Sequence, residues 1–157
     1  MIIYNANPAD NYAFATLVGN FHDGTQAGKL QFGSGWWSPD QKEAIEWQLN
    51  ALSNCGLLSN FIGMLTDSRS FMSYPRHEYF RRVLCNLLGS EIEKGFLPGD
   101  EVLVGDMISR ICYANAVRYL DLPGIQAAVR SAPAAVSALA SSTAVRGGGT
   151  AIRRVKN

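Results

Sequence analysis

Apolar and polar positions fall into blocks along the chain, and the period within each block predicts its element. Ile2, Ile3 and Tyr4 form a short apolar run. The Asn7, Pro8, Ala9, Asp10 that follow have the signature of a helix start, with Asn7 as N-cap and Pro8 in the first turn, and the pattern predicts a helix to about Gly19. Lys29, Leu30, Gln31 and Phe32 form a second short strand that runs into GSGWW. In SPDQ, Ser38 can cap, Pro39 sits at the first helical position and Gln41 completes a capping box, so a helix is predicted over 39–54. Its apolar face is Ile45, Leu49 and Leu52, and Gly56 is its expected C-cap. Residues 61–65 are the most apolar run and predict a strand buried on both faces. Pro75 opens a third helix with Phe80, Val83, Leu84, Leu87 and Leu88 at helical spacing, ending at Gly89 or Gly95. A fourth helix, about 101–119, carries Val104, Met107, Ile108, Ile111 and Tyr119.

The strands begin near residues 2, 29 and 61, a repeat of about 30 residues, the size of one strand plus one helix in a parallel sheet. The fold class is therefore α/β: three βα units with parallel strands, plus a further helix. Closing a parallel barrel takes about eight strands and about 250 residues, so these units form a small open sheet or belong to something larger. From 121 onward the chain becomes rich in Ala, Ser and Gly without aromatics, which predicts a low-complexity, mostly disordered tail over 121–157 with Gly147 to Gly149 its most flexible point. Alanine favours a short helix around 124–141, which Pro133 interrupts.

Charge sharpens that division. Residues 1–120 hold 9 Lys/Arg against 12 Asp/Glu, and 121–157 hold 5 against 1. A mildly acidic body offers no footprint for nucleic acid or a membrane surface. Cys55, Cys85 and Cys112 are odd in number and scattered, which fits a reduced, cytoplasmic setting better than a disulfide or zinc framework. MIIYNANPAD lacks the basic region of a signal peptide, and no apolar run approaches the roughly 18 to 20 residues of a membrane span.

The chemistry concentrates in MLTDSRSF, directly after the third strand. Asp67 can cap a turn and Arg69 can pair on the surface. Equally, a carboxylate at a strand's end is a hard metal ligand or a general base, and an arginine beside it can fork onto a substrate carboxylate. GSGWW offers glycines that admit close backbone approach, then Trp36 and Trp37, which serve either as packing anchors or as the wall of a sugar pocket. Ser38 stands where a dinucleotide fingerprint needs its third glycine, so phosphate binding at this loop and the next helix is the weakest of the readings. In RHEYFRR, Glu78 and Arg82 form an i,i+4 pair on a solvated helix face. His22 and His77 have no metal-binding spacing and read as surface or packing residues.

The segment from GKLQFGSGWW through GMLTDSRSFMSYPRHEYFRRVLCNLLG, together with NPADNYAFATLVGNF and ICYANAVRYL, resembles the carboxyl-terminal part of uronate isomerases of the amidohydrolase superfamily, continuously over about 1–120. The resemblance implies a distorted (β/α)8 barrel in which these strands are the sixth to eighth. It implies an aldose–ketose isomerase acting on hexuronate sugars, converting D-glucuronate to D-fructuronate and D-galacturonate to D-tagaturonate. Asp67 matches an aspartate that lies at a divalent metal, zinc or manganese, and helps to move a proton between carbons 2 and 1. Arg69 matches the arginine that holds the substrate carboxylate. The His-x-His that ends the family's first strand is absent from this chain. The expectation is therefore a fragment, binding no metal by itself, inactive alone, and lacking an amino-terminal half that a partner chain or a homo-oligomer would supply. Its tail does not resemble the family's ending, which suggests a frameshift or truncation. The alternative is a non-catalytic module that docks onto another chain.

Overall fold

A computed structural model describes residues 1–34, 38–124 and 127. Its strands are short. β1 (Ile2–Ile3) and β2 (Gln31–Phe32) pair in parallel, Ile2 opposite Gln31 and Ile3 opposite Phe32. The third strand expected over 61–65 reduces to one parallel bridge, Ser34 to Met64. Gly63 accounts for this: its φ of +76° is left-handed and interrupts a strand, and a Cβ there would lie 2.4 Å from the Ile111 carbonyl oxygen. The molecule is thus mostly helical, and its α/β character rests on these short parallel segments.

The helices follow the sequence pattern with shifted ends. A single 3-10 turn, Pro8–Asp10, capped by Asn7 through a 3.1 Å bond from the Ala9 N–H, leads into α1 (Asn11–Gly19). α2 (Lys42–Cys55) begins at Lys42 rather than Pro39; Gln41 is its N-cap, and the Ser38 capping box does not form. Asp40 is held instead in an ion pair with Arg76. Gly56 follows α2 in extended backbone, so it stops the helix without the left-handed turn expected of a glycine cap. α3 (Pro75–Glu93) passes through Gly89 and ends ahead of Gly95, which has the left-handed φ of +78°. The fourth predicted helix is one helical run with a defect: α4 (Glu101–Ser109), a π turn (Arg110–Ala114) and α5 (Asn115–Leu120). The possible helix over 124–141 and the glycines at 147–149 fall, but for residues 124 and 127, outside the described residues.

The apolar faces read from the sequence are the buried ones. Ile45, Leu49 and Leu52 of α2 and Phe80, Val83, Leu84 and Leu88 of α3 enclose Phe32, Phe61 and Ile111 in one core. Phe61 meets Phe80 edge to face at 6.3 Å, and Phe14 lies 5.4 Å from Phe32. Each large side chain so buried contributes about 1.5–3 kcal/mol.

Strands this short make few ladder bonds, and buried amides supply the register. Gln31 Nε2 donates to the carbonyls of Gly28 (3.0 Å) and Asn60 (2.9 Å), tying the second segment to the third. Gln48 Nε2, on α2, donates to the Gly33 carbonyl at 2.7 Å. Asn115 Nδ2, on α5, donates to the carbonyls of Ser59 and Phe61, each at 2.8 Å. The Tyr119 hydroxyl donates to the Met1 carbonyl at 2.8 Å and lies 3.2 Å from that of Lys29. Among the described residues no helix is long and apolar enough to cross a membrane.

Candidate active site at the strand ends

Three strand segments running in parallel bring their carboxyl ends together. β1 leads on to Tyr4, whose ring lies so close over Gly33 that a Cβ there would sit 2.2 Å from it; only glycine leaves room. β2 leads on to Ser34, which is 1% exposed and whose hydroxyl has no hydrogen-bond partner among the described residues. Beyond Met64 the third segment turns outward into Thr66, Asp67, Ser68 and Arg69. Asp67 has φ of +45°, a conformation that aspartate tolerates better than most residues but that still carries strain.

Asp67 and Arg69 are both exposed, as residues at an open rim would be. Burial raises the pKa of the Tyr4 hydroxyl above the usual tyrosine value, and the negative charge of Asp67 raises it further, so the first and third strand ends share one electrostatic environment. Ser68 and Ser70 shape the rest of the loop: Ser68 Oγ donates to the Ser70 carbonyl (3.0 Å) and accepts from the Ser70 N–H (3.1 Å), and Ser70 Oγ accepts from the Met72 N–H (3.2 Å). Arg69 forms no ion pair among the described residues. Trp36 and Trp37 lie outside the described residues, as does most of GSGWW.

The loop is fastened from a residue whose role the sequence did not reveal. Arg76, in the first turn of α3, donates from Nη1 to the Thr66 carbonyl at 2.6 Å and forms an ion pair with Asp40. Its neighbours on the same helix behave as predicted: Arg82 donates to Glu78 Oε1 at 3.0 and 2.7 Å, both side chains exposed. Beyond the loop an apolar rim projects outward, with Phe71 83%, Met72 86% and Tyr74 60% exposed, the Phe71 and Tyr74 rings in contact at 5.8 Å.

A divalent ion is the cofactor that the resemblance implies. The donor set does not build its site: among the described residues no three His, Cys, Asp or Glu side chains gather, and Asp67 offers one carboxylate to an ion that needs roughly four or more ligands. His22 and His77 are exposed and stand apart from Asp67 in the chain.

The profile of the glucuronate isomerase family matches residues 1–120. The chain belongs to this family. Uronate isomerase of Opitutus terrae is 69% identical over 121 residues, which cover 77% of this chain and 26% of the relative. Those of Solibacter usitatus and Flavobacterium johnsoniae are 68% and 64% identical over 121 and 118 residues, again covering 26% and 25% of the relatives. The chain thus spans about a quarter of the length of the curated relatives it matches. Asp67 and Arg69 follow the Ser34–Met64 bridge by three and five residues.

Proposed function

We propose that the chain is the carboxyl-terminal part of a uronate isomerase, its strand segments corresponding to the last three of a (β/α)8 barrel, and that it contributes part of the site that converts D-glucuronate to D-fructuronate and D-galacturonate to D-tagaturonate. The observation that carries the proposal is that Asp67 follows the Ser34–Met64 bridge by three residues and its charge is felt at Tyr4, just after β1, in a chain that matches the family over 1–120. The reaction is an isomerisation, so no oxidant or reductant is consumed: a proton leaves carbon 2, one is delivered to carbon 1, and the hydroxyl proton passes from oxygen 2 to oxygen 1. Asp67 is the group that takes and returns the proton. Arg69, solvent-facing two residues away, presents its fork to the sugar's carboxylate. Asp67 would also offer one ligand to a divalent ion, the others coming from outside this chain.

The chain alone is expected to be inactive, because one carboxylate does not hold an ion and the open segments leave strand edges unpaired. Incubating the full chain with D-glucuronate and zinc or manganese is expected to give no D-fructuronate. Fusing it in place of the matching quarter of the Opitutus terrae relative is expected to give a uronate-converting protein. Turnover by the unaided chain would refute the incompleteness, and a folded fusion without turnover would refute the assignment.

The exposed Phe71, Met72 and Tyr74 favour a second reading, a module without chemistry of its own that docks onto a larger polypeptide. Size-exclusion chromatography separates the cases: a monomer with a cooperative unfolding transition argues against a need for any partner.

A further inference from the structure

The guanidinium of Arg76 connects three pieces of chain that meet at the rim. It sits on the first turn of α3, bonds the Thr66 carbonyl at the end of the third segment, and pairs with Asp40 ahead of α2. The side chains of Arg76 and Asp40 are only 31% and 19% exposed, unlike the exposed Glu78–Arg82 pair one turn along. A pair this sheltered holds its geometry more firmly than an ordinary surface ion pair.

The bonded atom gives the contact its meaning. Thr66 O and the Asp67 N–H belong to one peptide unit, and rotating that unit changes ψ of Thr66 and φ of Asp67 together. Asp67 sits at φ +45°, away from the basins that an L-residue prefers. A charge-assisted bond of 2.6 Å on the Thr66 oxygen blocks rotation of the unit and holds Asp67 in the left-handed well. Released, the peptide would turn toward negative φ and carry the carboxylate away from Tyr4 and the strand ends.

We propose that Arg76 is a positioning residue for the isomerase site: it fixes the Thr66–Asp67 peptide, with Asp40 fixing the guanidinium in turn, and so aims the Asp67 carboxylate. Arg76 touches no reacting atom. This rests on the role proposed for Asp67, and its test has one arm that does not.

The independent arm is amide hydrogen exchange on the full 157-residue chain. Arg76→Ala is expected to speed exchange across 66–70 and to leave the buried face of α3 at Leu84 and Leu88 as protected as before. Unchanged exchange across 66–70, or loss of protection throughout, would overturn the proposal. The second arm uses the fusion to the Opitutus terrae relative. Arg76→Ala is expected to lower kcat on D-glucuronate about 10- to 100-fold, the scale of a misaligned but intact catalytic group, with Tm little changed. Millimolar guanidinium should restore part of that kcat in Arg76→Ala and none in Asp67→Asn. Asp40→Asn should lower kcat as well, and adding it to Arg76→Ala should cost nothing more. Arg82→Ala, on the neighbouring exposed pair, should leave kcat unchanged. An unaltered kcat in Arg76→Ala, or a loss matched by a fall in Tm and unrelieved by guanidinium, would overturn the positioning role. A fusion that is inactive with Arg76 intact would count against the functional reading instead, leaving exchange to judge the clamp.

Discussion

The two ends of the parallel strand segments are built to opposite specifications. At the amino ends three carbonyls have partners on the last helix: Asn115 takes those of Ser59 and Phe61, and the Tyr119 hydroxyl takes that of Met1. At the carboxyl ends the buried Ser34 hydroxyl has no partner among the described residues, Asp67 is in a left-handed conformation, and Arg69 is exposed. The contrast teaches how this chain distributes its constraints: hydrogen bonds fasten the amino ends, and strain and exposed charge collect at the carboxyl ends, where the proposed site lies.

Substitutions at the two ends should therefore differ in sign as well as size. Asn115→Ala strips one buried and one half-buried carbonyl of their donor and is expected to destabilise by about 2–4 kcal/mol in urea titration. Gly63→Ala, at a left-handed position facing the Ile111 carbonyl, should cost about 1–3 kcal/mol by the same measurement. Tyr119→Phe should cost about 1 kcal/mol. At the opposite end, Asp67→Gly relieves the left-handed strain, and its stability is expected to stay level or to rise by up to about 1 kcal/mol. A loss at position 67 comparable to that at Asn115 would erase the distinction between the ends.

The thiols refine the picture at smaller scale. Burial, and then the neighbouring Cys85, push the Cys112 thiol up to about 11 from its usual 9.0. Between these values the unfolded chain has lost a proton that the folded chain keeps, so this group makes stability fall as pH rises from 9.0 toward 11. Cys112→Ala should flatten that fall, as unfolding midpoints across the range would reveal. At neutral pH a thiol reagent should label exposed Cys85 well before half-buried Cys112.

Much of the helical frame was legible in the sequence, because apolar spacing along a helix reports directly on burial. Ile45, Leu49 and Leu52, and Phe80, Val83, Leu84 and Leu88, are buried as their spacing predicted. The strands were harder to read. Phe61 to Leu65 is apolar enough for a buried strand, yet a left-handed Gly63 within it leaves one bridge. Asn5, Gln31, Gln48 and Asn115 escaped notice because a buried amide and a solvated one look alike in a sequence. Arg76 escaped for a related reason: its helix is mostly a solvated face, and its partners, Thr66 and Asp40, become neighbours only through the fold. At the candidate site, the aspartate and arginine drew attention by their place after an apolar run, whereas Tyr4 and Ser34 gave no local signal.

The central claim is that the Asp67 carboxylate stands at the strand ends as the proton-handling group of a uronate isomerase. The most direct test is the rate of D-fructuronate formation by the fusion to the Opitutus terrae relative, with and without Asp67→Asn. The account predicts turnover in the parent and a loss of about 10²- to 10⁴-fold in the variant at unchanged Tm. Equal rates from two folded proteins would contradict it.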